Sequence, residues 1–241
     1  MSSPMLNEKA FERAKLTALQ ANHTMTLQGT INKTFLLLFI CMIGGMISWT
    51  NPQAFMPFTW LILIGAFVLA LIVSFKQNLA PVLAPIYALL EGLFLGAISA
   101  LYNAQFNGIV FNAVAATILV FLVMLGLYSS RIIKVTRGLM LTIFSATIAI
   151  CVLYLGSFVL SLFGVSTAYL TSSSPLSIGI SIVVCLVAAF NFLIDFHFIE
   201  KMTTEYAAPK YMEWYGGFGL LVTLVWLYIE ILNLLAKLQR R

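Results

Sequence analysis

The chain has 241 residues, 61% hydrophobic and 9% charged, with 19 phenylalanines and a mean hydropathy of +1.02. Soluble domains carry about a quarter charged residues, so this composition excludes one and indicates a single compact bundle of membrane helices. The net charge of +5 is scattered between apolar runs and forms no stripe, which excludes a nucleic-acid surface.

Residues 1–33 read as a polar tail of mixed charge, with no early apolar core and no small-residue cleavage site, so a cleaved signal peptide is not indicated. Within it, "NEKAFERAKLTALQ" suits a short amphipathic helix on a membrane surface. Residues 34–241 read as one transmembrane domain with seven apolar runs, at 34–50, 58–75, 82–102, 109–128, 139–163, 176–198 and 216–235. A helix of about 20 residues spans the hydrocarbon core, and the runs lack the alternation of a barrel strand. The expected fold is an all-α membrane protein with seven transmembrane helices.

Lys and Arg then set the orientation. The tail and the second, fourth and sixth loops hold ten of them (Lys9, Arg13, Lys15, Lys33, Lys76, Arg131, Lys134, Arg137, Lys201, Lys210), and the other three loops hold none. This bias puts the N-terminus in the cytoplasm, with Trp49 and Trp60 at the outer interface. The final "AKLQRR" runs against the pattern, which leaves two arrangements open: seven full spans with the basic end outside, or a re-entrant last run.

Cys41, Cys151 and Cys185 lie inside apolar runs without CxxC spacing, so they read as small apolar residues and not as a zinc or disulfide framework. The carboxylates are different. A charged group at the bilayer centre costs about 2.5–3.5 kcal/mol on insertion scales, so an acid there points to function. Asp195 interrupts "NFLIDFHFIE", with Asn191 one turn earlier on the same face. Glu230 interrupts "WLYIEILNLL", with Trp226 and Asn233 on its face. If these two spans pack together, the two acids share one site, titrate as a unit, and offer oxygen ligands to a hard cation such as Ca²⁺. Hydropathy edges put the two acids at different depths, so the pairing requires shifted or tilted helices. Glu91 opens "EGLFLG", whose Gly92 and Gly96 form a GxxxG for close helix packing; the acid itself is not explained by packing. His197, three residues before Glu200, reads as interfacial.

These residues resemble the transmembrane Bax inhibitor motif family, and "MTLQGTINKTF" resembles a bacterial branch of it. The most specific matches are "FNFLIDFHFIEK" and "LVWLYIEILNLLAKL", in which Asp195 and Glu230 stand at the positions of the family's acidic pair. The resemblance implies six helices surrounding a central C-terminal helix in a bacterial inner membrane. It also implies a pH-sensitive cation leak, chiefly of Ca²⁺, gated by that pair. No cofactor is expected, Ca²⁺ or H⁺ being transported ions, and the bilayer is the only macroscopic partner indicated. Three features depart from the family pattern: a Glu replaces one Asp, the sixth loop is long, and only Lys76 stands where some relatives carry a basic cluster. Two other readings stay open. One is a non-transporting stress-response or protein-binding factor. The other is an intramembrane aspartyl protease, against which the missing GxGD and the Glu both count.

Overall fold

The computed structural model describes residues 24–164 and 166–240. The amphipathic stretch expected within 7–20, and His23, lie outside those residues. Seven long helices cover the seven apolar runs: α1 (Leu27–Thr50), α2 (Thr59–Phe75), α3 (Ala80–Gln105), α4 (Ile109–Ser129), α5 (Arg137–Leu162), α6 (Pro175–Thr204) and α7 (Met212–Gln239). Short turns at Pro52–Phe55 and Met56–Phe58 extend α2 into a span of 24 residues. All seven are long and apolar enough to cross a membrane, and the protein is a multi-pass helical membrane protein.

Three of the seven helices, α1, α5 and α6, begin where a side chain satisfies a free backbone N–H, not where hydropathy rises. Thr26 accepts from the Gly29 N–H at 3.0 Å, so α1 starts seven residues before the apolar run. Thr136 caps α5 at 3.2 Å in the same way, and Ser174 followed by Pro175 starts α6. The outward surface is apolar throughout, with Phe35, Phe67, Phe111, Phe144 and Leu155 all exposed. In water such a belt would drive aggregation; against lipid it is the solvated face.

Small residues set the closest contact. A Cβ on Gly92 would fall 2.0 Å from the Cys41 carbonyl oxygen, and one on Gly96 would fall 2.1 Å from that of Gly45. The α1 and α3 backbones therefore touch, and the GxxxG works as a packing device. Across α1, Gly217 of α7 approaches the Thr34 backbone in a similar way. The last helix packs on α1, α3, α4 and α6, whereas α2 leans on α3 and α5 on α6. Half of the apolar windows of α3 and α7 is buried, against 11% of those of α2 and α5.

The last helix is continuous for 28 residues, about 42 Å at 1.5 Å per residue, which exceeds the hydrocarbon core of about 30 Å. It contains no re-entrant turn. The basic loops gather at one end of the bundle. There Met25 N–H donates to Ala208 at 2.7 Å, Arg131 pairs with Glu200, and the turn Gln77–Leu79 packs on α7.

Candidate functional site: a polar seam along α6 and α7

Three polar residues recur at seven-residue spacing on α7: Thr223, Glu230 and Lys237. Seven residues are nearly two turns, so all three share one face, with a drift of about 20° per step. Their partners come from α6 and α5. Thr223 donates its hydroxyl to Asp195 Oδ2 at 2.6 Å. Tyr154 of α5 donates to both Glu230 oxygens at 3.0 Å, and Trp226 Nε1 donates to Oε1 at 3.3 Å. Lys237 Nζ donates to Ser181 Oγ of α6 at 2.7 Å.

The two acids thus lie along one seam at different levels. Asp195 is level with Thr223, and Glu230 is seven residues further along α7, about 10 Å away by the helical rise. Neither carboxylate hydrogen-bonds the other, and each has its own donors. Phe192 and Phe196 turn to the α4 side of α6, where they meet the Phe121 ring edge-on, and Asp195 points to a different side of the helix.

That side is hollow. A cavity of about 380 Å³ is lined by Ala70 and Ser74 of α2, by Asp195, Phe198 and Ile199 of α6, and by Tyr215, Gly219 and Thr223 of α7. These segments of α2, α6 and α7 all adjoin the end that carries the basic loops. Asp195 is half-buried and faces this space, with its Oδ1 beside Gly219. It is nine residues from the end of α6, about 14 Å inside by the helical rise. Glu230, by contrast, is buried.

The other expected residues lie apart from the cavity. Asn191 shares a face of α6 with Asp195 but donates to Thr147 of α5 at 3.0 Å and to the Val187 carbonyl at 2.8 Å. Asn233 accepts from Tyr102 of α3. Glu91 is buried at the α1–α3 crossing, with Tyr87 and Cys41 as polar neighbours. Thr223, Tyr154 and Lys237 do not stand out in the sequence, although the Thr223–Glu230–Lys237 spacing is visible in it. Among the described residues no three His, Cys, Asp or Glu side chains meet at one point.

The start of α7, next to the cavity, is braced. Glu213, in the first turn of α7, is 1% exposed and accepts from Thr26 N–H at 3.0 Å, from Thr26 Oγ1 at 2.8 Å and from Lys210 Nζ at 3.1 Å. A Cβ on Gly29 would strike this carboxylate where it lies, so a larger residue there would displace it from Thr26. Lys33 lies 4.8 Å over the Trp214 ring. The chain leading into α1 and the start of α7 are therefore one unit beside the cavity.

A bundle of seven apolar helices with a half-buried acid on its sixth and a buried one within its last defines a polytopic membrane protein with an internal polar seam. A family model described as "Bax inhibitor 1 like" matches residues 3–240, nearly the whole chain, and the protein belongs to that family. No curated protein matches the chain.

Proposed function

We propose that the protein is a non-enzymatic, pH-sensitive leak pathway for cations, Ca²⁺ foremost, running along the α6–α7 seam. The observation that carries the reading is the Asp195 carboxylate, about 14 Å inside its helix yet facing a cavity of about 380 Å³ at the basic end of the bundle. An acid so placed offers a cation its first site inside the bilayer, and protonation removes that site. Glu230 is the second acidic level about 10 Å further along, and ions pass between the two levels. On this reading the gate is a two-step series and not a shared-proton dyad. The separation of levels counts against an aspartyl protease, which needs two carboxyls on one proton.

The same reading puts the protein in a bacterial inner membrane, with the N-terminus and the Asp195 cavity facing the cytoplasm. The charge bias and the gathering of the basic loops at one end support this.

The test is Ca²⁺ flux in proteoliposomes between about pH 5 and 8, a range that buried carboxylates reach. Wild type is compared with Asp195→Asn and Glu230→Gln. Flux whose pH dependence is lost in Asp195→Asn is expected. Folded wild-type protein without flux at any pH would sink the leak and favour a protein-binding factor.

A further inference from the structure

The third polar level of the seam has no part in the reading above. Lys237 is three residues from Arg240, which reaches outward to Gln105 at 3.3 Å and lies over Phe106. A lysine so close to a helix end ordinarily runs its stem along the apolar surface and puts its ammonium in water. Lys237 does the reverse. It is 9% exposed and turns inward, spending its ammonium on Ser181 Oγ at 2.7 Å and on the Ser177 carbonyl at 3.5 Å. Both acceptors are neutral, and among the described residues Lys237 forms no ion pair. Glu230 stands two turns inward on the same face of α7, and Cys185 stands one turn inward of Ser181 on α6.

We propose that Lys237 is the electrostatic barrier at the far end of the seam, a fixed positive charge that opposes cation passage beyond Glu230. This proposal rests on the leak reading and supplies the element that reading lacks, a device that keeps an acid-lined path from conducting freely. A charge held in a narrow, poorly hydrated passage raises the energy of any like-charged ion beside it, as arginines do in selective pores. The contacts to the Ser181 hydroxyl and the Ser177 carbonyl tie the ammonium of α7 to α6, where a solvated lysine would leave the two helices unbridged. The asymmetry of the seam follows: acidic and hollow at the Asp195 end, basic and closed at the Lys237 end.

Cys185 is a built-in reporter. The full-length protein in nanodiscs, with both ends open to solution, is treated with a trimethylammonium or a sulfonate methanethiosulfonate reagent. Modification at Cys185 is read by site-resolved mass spectrometry. Any change in thiol ionisation affects both reagents alike, so the ratio of their rates reports the barrier. Lys237→Gln is expected to raise the cationic-to-anionic ratio about a hundred-fold, since one charge roughly 10 Å away at an effective dielectric near 20 changes each rate by more than ten-fold, in opposite directions. Lys237→Arg is expected to keep the wild-type ratio. Ser181→Ala, which frees the ammonium without removing it, should shift the ratio the same way by less, and stands in should Lys237→Gln not fold. An unchanged ratio in Lys237→Gln, or in Ser181→Ala as its stand-in, overturns the proposal. Ca²⁺ flux in the same variants separates the two claims. Absent flux in every protein removes the leak reading, while the Cys185 ratio still decides whether Lys237 closes the seam.

Discussion

The α1–α3 contact and the α6–α7 seam are both helix pairs inside one bundle, and they are built on opposite rules. In the first, Gly44, Gly45, Gly92 and Gly96 bring backbones together until no Cβ fits at Gly92 or Gly96. In the second, hydroxyls, carboxylates and an ammonium bridge the helices, and a cavity remains beside them. A backbone contact has one arrangement, because sliding it creates collisions at once. A seam of side-chain bonds can exchange partners, since Thr223, Tyr154 and Ser181 can each turn toward water or a neighbour. The first pair is the frame, and the second is where ions and protons can act.

This contrast can be broken at several points. The largest expected effect is at the frame: Gly92→Ala drives a methyl into the Cys41 carbonyl and should cost about 1–3 kcal/mol or more. Thermal unfolding in detergent should show a lowered midpoint and reduced recovery of monodisperse protein. A fully stable Gly92→Ala would mean the helices separate easily and the frame is not rigid. Next is Asp195→Asn, which should leave the unfolding midpoint close to wild type while flux loses its pH dependence; gross unfolding instead would make Asp195 part of the frame. Tyr154→Phe removes the hydroxyl shared by both Glu230 oxygens, and should cost about 0.6–1.7 kcal/mol, the span measured for hydrogen bonds within membranes. The smallest effect is at Thr223→Val, about 0.6 kcal/mol on the same scale. A double-mutant cycle with Asp195→Leu, which removes the acceptor, should find the two effects coupled, whereas simple additivity would mean that the Thr223 bond carries no energy.

Much of the fold is legible in the residues. The seven runs, the bundle class and the GxxxG packing follow from hydropathy and small-residue spacing, which act locally. The ends of the helices are less legible, because capping decides them. Hydropathy starts the first span at residue 34, yet Thr26 begins α1 at Leu27, where "LQGTINK" is polar but has its backbone bonded. The site is legible only in part. The acids Asp195, Glu230 and Glu91 stand out because each is costly in an apolar run. Their partners do not stand out, since a threonine, a tyrosine and a terminal lysine are unremarkable in a membrane helix until a neighbour faces them.

The sequence by itself determined which segments enter the membrane, which end of the bundle carries the basic loops, and which few groups there require a reason, because transfer from water to lipid is a property of each residue. Only the tertiary structure decided that Asp195 meets Thr223 and not Glu230, that Asn191 turns to α5, and that Lys237 points inward. Those outcomes depend on the axial offset between antiparallel helices, which is fixed by the packing of glycines and aromatics elsewhere in the bundle and is written in no single segment.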